Sequence, residues 1–120
     1  MGVYQGYQIF MRHHGKVIPL SLQEGHSGFF EVIRSIDIIA IGVNESLTQP
    51  EKVKTIIHEF VHLGIEREHI FGDYNSNPFN NMDKNDFTRY EENVESLTQD
   101  IYNCQPRFVE HIMQRFLRKD

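Results

Sequence analysis

Hydrophobic positions along the 120-residue chain change period near residue 48. Before that point four β-branched or aromatic runs stand between turn residues: "YQIFMR" (7–12), "KVIPLSL" (16–22), "GFFEVIR" (28–34) and "IDIIAIGV" (36–43). They predict four strands of a small, mostly antiparallel sheet. Pro19 lacks the N–H that a central strand needs, so the second run is expected at an edge or interrupted. After residue 48 the period becomes helical. Thr48 and Glu51 form a capping-box pattern, and Pro50 sits in the first turn, where a missing N–H costs nothing. Apolar residues then recur at Val53, Ile56, Ile57, Phe60, Val61 and Gly64, predicting a helix over 49–67. Residues 69–86, rich in Asn, Asp, Gly and Pro, read as a loop longer than the usual connection. A second helix is expected over 86–103, and Pro106 opens a third over 106–118. The stripe Phe108, Val109, Ile112, Met113, Phe116 and Leu117 on that third helix is expected to pack on the core, a dimer seam being the other use for it. The fold class is α+β: about four strands, an active-site helix and two further helices in one domain spanning 1–120.

Composition narrows the function classes. With 39% hydrophobic and 24% charged residues the chain is an ordinary globular one. A net charge of -5 and a pI near 5.8 supply no basic field for nucleic acid or an anionic membrane, so no direct contact with either is expected. The short "RFLRK" at 115–119 reads as a cation-rich helix end. A single cysteine, Cys104, cannot form an intramolecular disulfide and is expected to be a small buried packing residue. No run approaches 18 apolar residues, and the N-terminus lacks the apolar run of a signal peptide. Gly6 stands where a myristoylation signal wants Ser or Thr. A cytoplasmic protein, monomeric or a weak homodimer, is expected.

Chemistry concentrates in "KTIIHEFVHLGIE", residues 54–66, where His58, Glu59 and His62 read H-E-x-x-H. Residues four apart on a helix lie one turn above each other, so both imidazoles reach one ion. Seven histidines and eleven glutamates make a chance match somewhere in such a chain about a 4 in 100 event. The helical setting and a suitable third ligand downstream argue against chance. A catalytic zinc takes three protein ligands and leaves one position for water. The extended pattern H-E-x-x-H-x-x-G-x-x-H fails, because Ile65 and Glu68 hold its last two places. Glu66, eight residues from His58, is about 12 Å away along the axis. The remaining carboxylates lie in "RYEENVESLTQDI", 89–101. A helical wheel puts Glu91 at the border of the apolar stripe of Phe87, Tyr90, Val94, Leu97 and Ile101, and Glu92 further toward water. Glu91 is therefore the expected third ligand and Glu92 the alternative. Glu95, on the Glu91 face, is expected to accept a hydrogen bond from a liganding histidine.

"IAIGVNESLTQPEKVKTIIHEFVHL" resembles the strand–loop–active-helix segment of the ImmA/IrrE family of small gluzincin peptidases. "EENVESLTQDI" is similar to that family's downstream E-x-x-A-[DN]-x-F-A pattern, with Glu91 at the ligand glutamate. Val94 falls at the first alanine, Glu95 at Asp or Asn, Leu97 at the phenylalanine and Thr98 at the second alanine, so every position after the glutamate is substituted. The resemblance covers roughly residues 36–101. It implies one Zn2+ per chain and selective cleavage of a regulatory protein such as a repressor.

The expected reaction is peptide-bond hydrolysis of a protein or peptide substrate. His58, His62 and Glu91 hold zinc, and Glu59 takes a proton from the zinc-activated water and passes it to the leaving amine. The 36–43 strand is the candidate rail for an extended peptide. His69, Tyr74 and Tyr90 are candidates for stabilising an oxyanion. A second reading, from the binding class, is a zinc-binding or degenerate zincin domain that recognises a partner without cutting it.

Overall fold

A computed structural model describes residues 2–67 and 83–117. Its described residues form an α+β domain of four helices and a small sheet, mixed where a mostly antiparallel one is expected. Chain order is α1 (Gly2–Arg12), β1 (Lys16–Leu20), β2 (Gly28–Ile33), a 3₁₀ turn (Arg34–Ile36), β3 (Ile38–Asn44), α2 (Gln49–Ile65), α3 (Lys84–Cys104) and α4 (Pro106–Ile112). One π-helical turn, Met113–Leu117, continues α4.

The sheet has three strands, in the order β1-β3-β2. β1 runs parallel to β3 from Lys16↔Ala40 to Leu20↔Asn44. β2 runs antiparallel to β3 from Gly28↔Val43 to Ile33↔Ile38. Pro19 lies on the edge strand β1, as a residue without an N–H must when one side of the strand is paired. The expected first strand does not form: residues 7–12 belong to α1. An aromatic, β-branched run of six suits a strand locally, but Val3, Gly6, Ile9 and Phe10 recur at helical spacing and are buried together. Tertiary packing overrides the local preference.

Helix α2 is the centre of the fold. Its N-terminus carries the full capping box: the Thr48 hydroxyl accepts from the Glu51 N–H, and the Glu51 carboxylate accepts from the Thr48 N–H at 3.1 Å. Val53, Ile56, Ile57, Phe60, Val61 and Leu63 are all buried. One side faces the sheet, and α1 lies against another at unusually close range. A Cβ at Gly6 would collide with the Phe60 carbonyl oxygen, and one at Gly64 with that of Gly2. Only glycine permits this approach, so α1 is pressed against the back of the turn that carries Glu59 and His62. Phe10, buried, stacks at 5.3 Å from Phe60 and 5.6 Å from Phe116. Ile112 of α4 is buried, and Phe108, Val109, Phe116 and Leu117 pack on the core, while Met113, expected in the same stripe, is exposed.

Helix α3 is capped by Asp83, whose side chain accepts from the Asp86 N–H. Its buried row is Val94, Thr98 and Ile101, while Phe87 and Leu97 are exposed. The inward face is thus rotated from the wheel's expectation, and Glu91 stands in line with Val94 and Thr98. Cys104 is exposed at the end of α3, not buried as expected: the chain leaves the helix at Gln105 and the residue stays on the outer side of the turn. The bulk of the expected 69–86 loop, with His69 and Tyr74, lies outside the described residues. No helix among those described is long and apolar enough to cross a membrane.

Two substitutions measure these constraints by urea denaturation. Thr48→Ala is expected to cost about 1 kcal/mol by removing the cap. Gly6→Ala is expected to cost about 3 kcal/mol, because a backbone collision is relieved only by moving a helix.

Candidate metal centre

The two imidazoles project from α2 toward α3 with the same polarity. Nε2 of each points inward: His58 Nε2 and His62 Nε2 are 3.2 Å apart. Glu91, from α3, completes the triangle, with one carboxylate oxygen 3.3 Å from His62 Nε2 and the other 3.7 Å from His58 Nε2. Among the described residues, these three offer one ligand atom each, all within 4.8 Å of one another. Glu92, the alternative third ligand, does not join them. It is exposed, one residue further round the helix.

The spacing suits a small cation. Four ligands placed tetrahedrally about 2.0–2.1 Å from a metal are ~3.3 Å from each other. The closest approaches between the three residues, 3.2, 3.3 and 3.7 Å, the last two to different oxygens of Glu91, lie near that value. Donor chemistry points the same way. An imidazole that donates at Nδ1 presents a bare lone pair at Nε2. Two such nitrogens and a carboxylate oxygen turned toward one another are the ligand atoms of a cation site. The donor set fits a divalent ion, and His58, His62 and Glu91 are positioned to bind one.

Each Nδ1 has its own carboxylate. His58 Nδ1 lies 3.3 Å from a Glu95 oxygen, as expected for that residue. His62 Nδ1 is 2.8 Å from Glu66 Oε2 and 3.0 Å from the Tyr90 hydroxyl, which itself donates to Glu66 Oε2 at 2.9 Å. Ligand spacing excludes Glu66 from the ion on distance and says nothing of this outer contact. Glu66's position four residues after His62 was the signal for it, since that spacing lets two side chains meet. Tyr90 is directed at Glu66 and His62, which removes it from the candidates for an oxyanion donor.

Electrostatics follow from burial and this ring of acids. Burial lowers His58, and the neighbouring His62 lowers it further, against the pull of Glu95 and Glu91. Burial also works against a charged His62, but the Glu66 hydrogen bond and the charges of Glu59, Glu66 and Glu91 outweigh it and leave its pKa raised. Burial, helped by Glu66 and Glu91, lifts Tyr90 well above the ordinary phenol range. Glu59 is 7% exposed, and burial first, then the charges of Glu91 and Glu66, pushes its carboxyl up to about 7 despite the opposing effect of His62.

These groups line a cleft of about 540 Å³. One wall is β2, through Gly28, Phe29 and Phe30; Phe87, Glu91 and Glu95 of α3 line the other. Glu51, Glu59 and Glu66 add acidity, while Lys54 holds its ammonium 4.7 Å from the Tyr102 ring centre. The expected rail, strand 36–43, is corrected by the sheet order. Within it β3 is paired on both sides, and no strand among the described residues covers the outer side of β2.

The raised carboxyl of Glu59 has a sign that can be tested in chelator-treated protein. A group that binds its proton more tightly when folded stabilises the fold below its ordinary pKa of 4.5, and loses that contribution as pH rises to about 7. Glu59→Gln never has to ionise. It is expected to match the wild type at pH 4 and to exceed it at pH 8 by up to about 3 kcal/mol in urea denaturation. No family model, curated protein or solved structure matches the chain, and the reading of this centre rests on its own atoms.

Proposed function

We propose that the protein is a zinc-dependent metallopeptidase that hydrolyses peptide bonds with His58, His62 and Glu91 as metal ligands and Glu59 as the proton carrier. The observation that carries this reading is the cluster of His58, His62 and Glu91, one ligand atom from each within 4.8 Å of the others, beside a buried carboxylate that opens on the same cleft. Two imidazoles and one carboxylate are a borderline-soft set that suits zinc, and three protein ligands leave the fourth position for chemistry. Bound zinc supplies Lewis acidity, polarising a carbonyl and lowering the pKa of water toward neutrality.

The chain's own residues do the rest. Glu59 follows the first ligand by one residue, so its carboxylate faces the cleft beside the triangle without belonging to it. A carboxyl whose environment pulls its pKa toward neutrality is suited both to accept a proton from attacking water and to return it to the leaving amine. His58 and His62 bind through Nε2, and Glu95 and Glu66 orient them through Nδ1. β2 replaces β3 as the candidate rail: its free edge is suited to pair with an extended peptide laid along the cleft wall. Cleavage of a regulatory protein is the substrate class that the ImmA/IrrE resemblance suggests.

Glu59→Gln is expected to bind one zinc per chain, as the wild type does, and to lose cleavage of a fluorogenic peptide library by about 100-fold or more. Wild-type rates in that variant would exclude the mechanism. A wild-type chain that holds zinc and cleaves neither the library nor any candidate regulator would turn the reading to an interaction module.

A further inference from the structure

We infer that Glu66 and Tyr90 are positioning residues that lock His62 in one tautomer and one ring orientation, so that His62 is the pre-set ligand of the centre and His58 the adjustable one. This inference rests on the metal-centre reading above and assigns a division of labour within it.

The Glu66–Tyr90–His62 contacts form a closed loop. The Tyr90 hydroxyl donates to Glu66 Oε2 at 2.9 Å, which leaves the His62 Nδ1–H to donate to Oε2 at 2.8 Å and to the Tyr90 oxygen at 3.0 Å. One arrangement of protons satisfies all three partners. It keeps the Nδ1 proton outside and turns Nε2 toward Glu91. Rotating the ring by half a turn would set a C–H against two oxygens and lose both bonds. Water does not readily replace them, since the His62 and Glu66 side chains are 10% and 11% exposed. The Tyr90 ring also meets the imidazole edge-on at 5.4 Å. Its neighbour in sequence is Glu91, so the bonds that orient the second histidine also anchor the helical turn carrying the third ligand.

Among the described residues His58 has no equivalent. Its Nδ1 has a single carboxylate oxygen at 3.3 Å, on a Glu95 side chain that is 56% exposed. Solvent competes for both partners of that contact. Removing Glu95 therefore costs little pre-organisation, whereas removing Glu66 costs much of it.

The test compares Glu66→Ala, Glu66→Gln, Tyr90→Phe and Glu95→Ala in the full chain at one fixed pH. Zinc affinity is read by chelator competition, folding by circular dichroism, and imidazole protons by NMR of the zinc-free protein. Glu66→Ala is expected to bind zinc about 10–100-fold more weakly and Tyr90→Phe about 10-fold. Glu66→Gln keeps an acceptor oxygen, and with Glu95→Ala should stay within about 3-fold of wild type. A hydrogen-bonded Nδ1–H signal from His62 is expected in the zinc-free wild type, absent from Glu66→Ala, with no counterpart from His58. Wild-type affinity in Glu66→Ala, or an equal loss in Glu95→Ala, would overturn the inference. A Gln variant as weak as the Ala variant would reduce Glu66 to a charge and overturn it too. If Glu66→Ala does not fold, Tyr90→Phe and Glu66→Gln decide the same question. If the wild type takes up no zinc, the metal reading fails on its own, and the Nδ1–H signal still decides the clamp.

Discussion

Three potential ligand atoms, two imidazole nitrogens and a carboxylate oxygen, are turned toward one another inside a half-closed cleft, and the architecture is organised to keep them pointed that way. His58 and His62 share one face of α2 because they are four residues apart. Glu91 meets them because the buried row of α3 runs in line with it. The glycine contacts of α1 hold the far side of α2, so the turn bearing Glu59 and His62 cannot back away from α3. A stiff support behind and a second helix in front convert a sequence spacing into a triangle with metal-ligand dimensions.

Much of this triangle was legible in the chain, for reasons particular to the residues involved. H-E-x-x-H on a capped amphipathic helix specifies its geometry locally: helix start, spacing and facing direction are all set within seventeen residues. Glu91 over Glu92 was legible too, since one residue of helix is 100° of rotation and only one carboxylate can face the core side. What escaped was non-local. Residues 7–12 look like a strand because their aromatic and β-branched content says so, and only the approach of Gly6 to Phe60 makes the helix worthwhile. Sheet order is likewise invisible in a run of strands. "IDIIAIGV" was the most apolar run because β3 is central and buried, which is the property that disqualifies it as a free edge. Glu66 lies too far from His58 along the helix to share an ion with it, and an outer contact leaves no mark in a ligand-spacing pattern.

The carboxylates of the cleft divide by what restrains them. Glu51 is tied to the helix cap, and hydrogen bonds from Thr48 hold its pKa below the ordinary range. Glu66 is tied to Tyr90 and His62. Glu91 faces the imidazoles. Glu59 is deeply buried with its pKa raised, and no side chain donates a hydrogen bond to it among the described residues. A neighbouring cation would offset the cost of burying its charge. As pH rises toward 7 the same group costs the metal-free fold stability.

That coupling gives folding and metal binding a common origin. Ionising buried Glu59 raises the energy of the folded chain, and a divalent charge held by His58, His62 and Glu91 would lower that cost. A ligand that binds only the folded state stabilises it in proportion to the logarithm of its occupancy ratio. Here the ion would also bridge two helices, α2 through the histidines and α3 through Glu91. A looser fold, with α3 adrift from α2, would separate those ligands. The glycines behind α2 and the Tyr90 contact in front hold the two helices at that spacing.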